Sequence, residues 1–434
     1  MHVSILERRK MKAAALALAL TAPIAGFEGM TNAAVINTGD IIVDQVGNGA
    51  SALANTGTAV SLVIYTPTVS ANGSVVLSAE TSVPGGTIAL PTAASVNGLA
   101  SNPLVQSGTA SSEGEITISP DGSAIVVAGY AAPVGAGANG VVGNTSSIAG
   151  SNSTVVNRVF GLVYTANGTV DTSTTTTAFN SNNPRSGVLY NGTIYAGGAT
   201  SPGITALTVD ANATVNGAGT QLQNTVTNFR QLEVFNGTLY ASDSSGNALR
   251  LASITGFNGT ANSATAAELA GLSANNAATP TGTEVFAPYG FAFAEGGSTL
   301  YIADQGSNGN NGAGTGVIEK FVLSNGTYTA DGSVAAFNTI TGLTTEQLTG
   351  TNGTFDAVFA TTPTGIYEIS DTGGSLSSDT LNLAVSAPTN DAFRGITADA
   401  PPSAVPEPAL LSSLLIAGIA GLGRRNPRRA SHAK

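Results

Sequence analysis

Cysteine and tryptophan are absent from the 434 residues, and histidine occurs only at His2 and His432. Both histidines lie in terminal segments expected to be removed, so the body between them carries no His, Cys or Trp. That excludes Ser-His-Asp and Cys-His nucleophile systems, and zinc held by His or Cys. Carboxylate chemistry and oxygen-ligated cations remain. A domain of this size does not need disulfides, even where export would permit them.

Charge is scarce as well. Charged residues make up 9% of the chain, against roughly 25% in an average soluble protein. The polar surface must come from Ser, Thr, Asn and Gly, which suits turn-rich β structure better than charged helices. Nine of the fifteen basic residues lie in the terminal segments, which leaves Arg158, Arg185, Arg230, Arg250, Lys320 and Arg394. Set against 23 of the 26 acidic residues, these give the body a net charge near −17. Such a surface repels phosphate backbones, so nucleic acid is not an expected partner.

The two ends are of a different character. Arg8 to Lys12 form a basic stretch, Ala13–Ala22 an apolar one, and small residues follow up to Asn32-Ala33-Ala34. This order reads as a secretory signal peptide over residues 1–34, with Met11 as an alternative start. At the other end, a linker over 401–408 contains Val405-Pro406-Glu407-Pro408. The apolar run Ala409–Gly423 and the basic tail 424–434, with Arg424, Arg425, Arg428 and Arg429, follow. As a helix at ~1.5 Å per residue the run spans about 22 Å. A transmembrane helix this short needs arginine snorkelling or local thinning to cross a ~30 Å hydrocarbon core. The arginines would hold its end on the cytoplasmic side.

A Val-Pro-Glu-Pro motif, an apolar helix and an arginine cluster in this order resemble the PEP-CTERM sorting tail. The resemblance covers Val405–Arg429 and rests on Pro406, Glu407 and Pro408. It implies a protein exported by a Gram-negative bacterium to the cell envelope, surface or extracellular matrix. The implied partner is an exosortase-like enzyme that cleaves the tail while the helix holds the chain at the membrane. The alternative is a plain membrane anchor that is never processed. Either way the tail reports sorting, not the activity of the body.

Between Val35 and Ala400 no long amphipathic helical pattern occurs; the nearest, Ala264–Leu272, is short. Runs of five to eight β-prone residues alternate with turn residues. Asn-Gly recurs at Asn72, Asn167, Asn191, Asn236, Asn258, Asn325 and Asn352, which favours type I′ hairpin turns. A loose repeat relates Arg185–Ala196 to Arg230–Ala241, 45 residues on, then to Gly290–Asp304 and back to Gly114–Ala128. Each copy reads strand, tight turn, strand, and such periods suggest propeller blades.

The Leu300-Tyr301-Ile302-Ala303-Asp304 strand, followed by an Asn-bearing turn, resembles the repeat of NHL-type propellers, with Asp243 and Asn247 in matching places. The expected fold is therefore all-β: a single β-propeller over residues 35–400. Five of six blades cover Glu115–Thr176, Ser186–Val215, Gln231–Phe257, Tyr289–Ala336 and Thr341–Val385. The sixth closes the ring by pairing Phe393–Thr397 with Asp40–Val46, Val60–Thr66 and Ser74–Ala79. A seventh blade would have to use Ala79–Gly108. A β-sandwich or a β-helix is the competing architecture.

Candidate chemistry is sparse. Asp304 and Asn308 sit in a loop rich in oxygen ligands and are the residues that would take calcium. Their spacing departs from calcium-loop motifs, so the favoured reading is an inter-strand loop with Asp304 bonding its own turn. Glu113 and Glu115 lie two apart and could share one strand face for acid–base work; a solvated strand edge is the favoured reading. Arg185, Arg230 and Arg394 recur at blade-opening strands. In a propeller they would cluster around one axis, pairing acids or lining a channel. The body is expected to be a structural or binding module for surface glycans or proteins, with no catalytic residues. The alternative is a carboxylate- or calcium-dependent propeller hydrolase or lactonase using Asp304, Asp243 and Glu115. Three or more carboxylates converging on the central channel within coordination distance would favour that alternative, and carboxylates scattered on outer loops the structural or binding role.

Overall fold

A computed structural model describes residues 35–93, 101–199, 202–209, 215–223, 226–243, 249–272, 286–305, 316–336 and 339–399. The signal segment, the sorting motif at Val405–Pro408, the apolar run, the basic tail, Asn247 and Asn308 lie outside these residues. No helix among the described residues is long and apolar enough to cross a membrane. Their helical content is limited to three-residue 3-10 turns such as Ile148–Gly150 and Leu376–Ser378.

Strands β1 (Ile41–Val46), β2 (Gly57–Val69), β3 (Val75–Ala79), β4 (Thr87–Ala89) and β5 (Val105–Ser107) come first. Next are β6 (Thr117–Ile118), β7 (Ala124–Tyr130), β8 (Arg158–Tyr164), β9 (Val170–Asp171) and β10 (Thr175–Thr176). Four meanders of four strands follow. The first holds β11 (Pro184–Tyr190), β12 (Thr193–Gly198), β13 (Ile204–Thr208) and β14 (Thr220–Gln223). The second holds β15 (Phe229–Phe235), β16 (Thr238–Asp243), β17 (Leu251–Thr255) and β18 (Thr265–Glu268). The third holds β19 (Pro288–Ala294), β20 (Thr299–Asp304), β21 (Val317–Ser324) and β22 (Thr327–Ala335). The fourth holds β23 (Gly342–Gly350), β24 (Gly353–Thr362), β25 (Gly365–Asp371) and β26 (Asn382–Ser386). The last strand, β27 (Ala392–Ala398), returns to pair antiparallel with β1.

The arrangement is an all-β propeller. The first strands β11, β15, β19 and β23 follow one another in contact, and β27 and β6 complete the circuit. Hydrophobic side chains of adjacent sheets fill the seams. Val188 and Tyr195 of one sheet, for example, share a core with Leu232, Leu239 and Ile254 of the next.

The expectation of six separate blades needs correction. Four four-stranded sheets stand alone, and the strands expected to form the first and closing blades join in one eleven-stranded sheet. The cause is the length of β2. Its 13 residues pair with β1, with β3 and β4, and at the Gly57–Ala59 end with β5. Through β5 the sheet continues to β7, so no edge separates the two groups. Ala79–Gly108 supplies β4 and β5 to this same sheet, not a further blade.

The Asn-Gly turns follow the expected stereochemistry at three hairpins. Asn191, Asn236 and Asn325 have φ of 49°, 48° and 52°, and each following glycine is also left-handed. Asn72, Asn167 and Asn258 work differently. Each turns its side-chain oxygen back to the backbone N–H two residues on, at Ser74, Thr169 and Thr260. That is an Asx turn.

Candidate functional site

Three of the innermost strands carry a β-bulge near their start, between Pro184 and Ser186, Phe229 and Leu232, and Pro288 and Phe291. Where β27 pairs with β1 the register shifts in the same way, across Phe393–Ile396. Arg185, Arg230, Tyr289 and Arg394 occupy these bulges. A bulge re-aims the side chains within it, and here it brings repeated positions of separate sheets together.

The Arg394 Nη2 donates to Gly108 O at 3.2 Å, and Tyr289 Oη donates to Ser111 O at 2.6 Å. The Arg230 guanidinium lies 5.3 Å from the centre of the Tyr289 ring. Arg185 Nη1 donates to Phe229 O at 3.0 Å. Burial and the Arg230 charge lower its pKa to about 9. The segment 107–115 is thereby fastened over the starts of the innermost strands. Gly114 and Gly395 allow the backbones to meet there. A methyl group on Gly395 would fall 2.4 Å from Gly114 O, and one on Gly114 would fall 2.7 Å from Asp44 Oδ2.

That segment brings Glu113 and Glu115 to Asp44 of β1. Glu113 and Glu115 are each 1% exposed, so they are not the solvated edge expected from the sequence. Docking of their own segment against the innermost strands takes both out of water. Glu113 accepts hydrogen bonds from Tyr130 Oη at 2.6 Å, Asn183 Nδ2 at 2.6 Å and Ser107 N at 2.9 Å. Asp44 Oδ2 accepts from Gln106 Nε2 at 2.6 Å.

Burial dominates the titration of all three acids. It pushes Glu113 up to about 7 despite its three donors. It pushes Asp44 up to about 7 against the pull of Gln106 and Arg394. Burial together with the Asp44 charge raises Glu115 well above the carboxylate range, opposed by Arg230. Three buried carboxyls thus lie with the buried Arg185 and Arg394 and the half-buried Arg230.

The other sequence candidates lie apart from this cluster. Asp304 is fully buried, and its Oδ1 accepts from Ala287 N at 2.8 Å, at the foot of β19. That bond ties it to the residue preceding β19; the turn that follows Asp304 lies outside the described residues. Asp243 takes the equivalent place, opposite Phe229 as Asp304 is opposite Pro288. Burial lowers the guanidinium pKa of Arg250, and the charges of Asp243 and Asp304 oppose that shift only in part. Among the described residues no group of three or more acidic, His or Cys side chains is placed to hold a metal ion.

A second polar group lies in a cleft of about 240 Å³ between the third and fourth meanders. Lys320 Nζ meets Asp371 Oδ2 at 2.7 Å and Asp331 Oδ2 at 3.6 Å, and donates to Gly374 O at 2.9 Å.

No family model and no curated protein matches the chain. Several solved structures resemble it distantly. The nidogen/laminin complex is 12% identical, covering 84% of this chain and 100% of that one, with a TM-score of 0.45. The periplasmic gluconolactonase PpgL of Pseudomonas aeruginosa is 13% identical, covering 80% and 82%, with a TM-score of 0.39. The GH74 enzyme of Niastella koreensis is 16% identical, covering 78% of this chain and 47% of that one, with a TM-score of 0.42. Likeness at this level identifies no relative.

The repeat, with the likeness of Phe393–Thr397 to a first strand, brought Arg185, Arg230 and Arg394 to one axis. Sequence reasoning missed Asp44, Gln106, Tyr130, Asn183 and Tyr289. Tyr289 was within reach, because it precedes Gly290 where Arg394 precedes Gly395. Asp44 carried no signal, since its partners Gln106 and the closing strand β27 are distant in the chain.

Proposed function

We propose that the protein is an exported cell-surface or matrix component whose propeller body serves as a structural or binding module. The signal-like segment 1–34 and the Val405–Pro408 tail support export and sorting, with an exosortase-like enzyme and the membrane as processing partners. The observation that carries the module reading is the closure of the axial cluster. Asp44, Glu113, Glu115, Arg185 and Arg394 are buried, Asp44 and Glu113 are hydrogen-bonded to protein, and Arg394 and Tyr289 tie down the 107–115 segment that carries the two glutamates. The recess further along the innermost strands is about 120 Å³, below the roughly 300 Å³ at which sites for small organic substrates begin. Glycans or proteins recognised on the loops suit such a body.

Intact mass spectrometry on envelope and medium fractions of the native host tests export and sorting. A mature form beginning near Val35 and ending near Val405–Pro408 is expected. A retained Ala409–Lys434 would leave an ordinary anchored protein.

A second reading has one observation in its favour. Glu113, raised to about 7, lies with Asp44 and Glu115, and an acid poised near neutral pH suits a carboxylate hydrolase or lactonase. Sugar-lactone hydrolysis by the full chain, abolished in Glu113→Gln, would establish it. No turnover above background would remove it.

A further inference from the structure

We propose that the axial recess binds an alkylammonium group, with Glu233 as its counter-ion and phenylalanine rings as its walls. The inference rests on reading the body as a binding module and names the ligand class.

The lining of the recess favours this class. Glu233 is its one ionisable side chain, and no lysine or arginine lines it. Phe235, Phe291 and Phe293 supply aromatic surface, with the Phe235 and Phe293 rings stacked at 4.7 Å. Thr344, Thr345 and Thr397 add hydroxyl oxygens. An ammonium group wants a carboxylate, hydroxyl acceptors and ring faces together. A volume of about 120 Å³ admits the tip of an alkyl amine and excludes a sugar ring.

Glu233 is held ready for such a partner. Glu233 is half-buried and lines the recess. Its hydrogen bond from Gln231 Nε2 is long, at 3.2 Å, and Gln231 also donates to Phe291 O at 2.9 Å. Burial pushes its pKa up to about 8, with no cation opposing the shift. Tyr240, across the hairpin from Glu233, is the other titratable group facing it, and its hydroxyl pKa is raised.

The surroundings add to the attraction. Asp399 follows the lining residue Ala398, and Glu346 follows Thr345. Asp399 also acts on the titration of Glu346, and Asp40 on that of Asp399. A body with net charge near −17 concentrates cations at such a mouth.

The test titrates the full chain with n-butylammonium chloride by calorimetry at pH 6, 7 and 9, with n-pentanol as the neutral control. Butylammonium should bind and pentanol should not. Affinity should rise by about tenfold per pH unit below the Glu233 pKa, because binding needs the carboxylate. A proton should be released on binding at pH 7, read from the heat in two buffers of different ionisation enthalpy. Glu233→Gln should lower affinity by at least about tenfold, and Phe293→Leu should weaken it less.

Equal binding of pentanol, binding unchanged in Glu233→Gln, or no binding of butylammonium at any pH would overturn the proposal. The pH dependence and proton release are read on the unmodified chain, so a misfolded variant does not blunt the test. An Nα-acetyl-lysine methylamide arm separates a free amine from a lysyl side chain of a protein partner. A negative result leaves the mass-spectrometric test of export untouched.

Discussion

Tyr301 donates its hydroxyl proton to Asp371 Oδ2 at 2.6 Å, across the seam between the third and fourth meanders. Lys320 reaches the same carboxylate oxygen. The side chains of Lys320 and Asp371 are 4% and 1% exposed. Tyr301 also donates to Asp356 at 3.2 Å, and burial raises that acid to about 6. The seam is therefore pinned by a buried ion pair as well as by apolar packing.

Removing Asp371 leaves Lys320 with the half-exposed Asp331, at 3.6 Å, as its acidic partner in direct contact. Asp371→Asn is expected to destabilise the protein by about 3 kcal/mol. Tyr301→Phe leaves the ion pair and should cost about 1–2 kcal/mol. Urea unfolding of both variants checks the order; equal losses would refute the ion-pair account.

Stability should fall as pH rises from about 5 to 8. Glu113 and Asp44 are raised to about 7 in the folded state, from ordinary values of 4.5 and 3.8. Between those values and 7 the folded chain holds more protons than the unfolded one, so each stabilising contribution is fully present below the ordinary pKa. It is lost as pH climbs through the folded pKa. Glu113 alone should account for roughly 3 kcal/mol. Urea midpoints at pH 5 and 8 measure the slope, and Glu113→Gln should flatten it.

Two glycines offer a contrast in close approach. Gly395→Ala would press a methyl group against the Gly114 carbonyl and should cost at least about 2 kcal/mol. Gly374 has nothing within 4 Å of such a methyl, so Gly374→Ala should change stability by less than about 0.5 kcal/mol. Thermal melts of the two variants decide whether the axis is packed as tightly as described.

The closing strand is expected to be indispensable. Ending the chain after Asn390 removes β27, exposes the β1 edge and deletes Phe393 from its core. It also removes Asp391, which accepts from Gly49 N at 2.7 Å. An unpaired edge of this kind promotes association. The truncated chain should aggregate or lose its single cooperative transition, as followed by size exclusion and circular dichroism.

The sequence by itself determined the local elements of this protein. Alternating β-prone runs and Asn-Gly pairs act over a few residues, so the hairpins at Asn191, Asn236 and Asn325 could be read directly. The 45-residue repeat extended that reach to Arg185 and Arg230, and the likeness of Phe393–Thr397 to a first strand added Arg394 to the same axis. Tertiary structure decided what lies far apart in the chain. Whether Glu113 and Glu115 meet water depends on the 107–115 segment lying over Arg394 and Tyr289, more than 170 residues away. Whether two blades stay separate depends on where the end of β2 finds a partner. Burial and strand pairing are properties of the packed ring, and no periodicity within one strand encodes them.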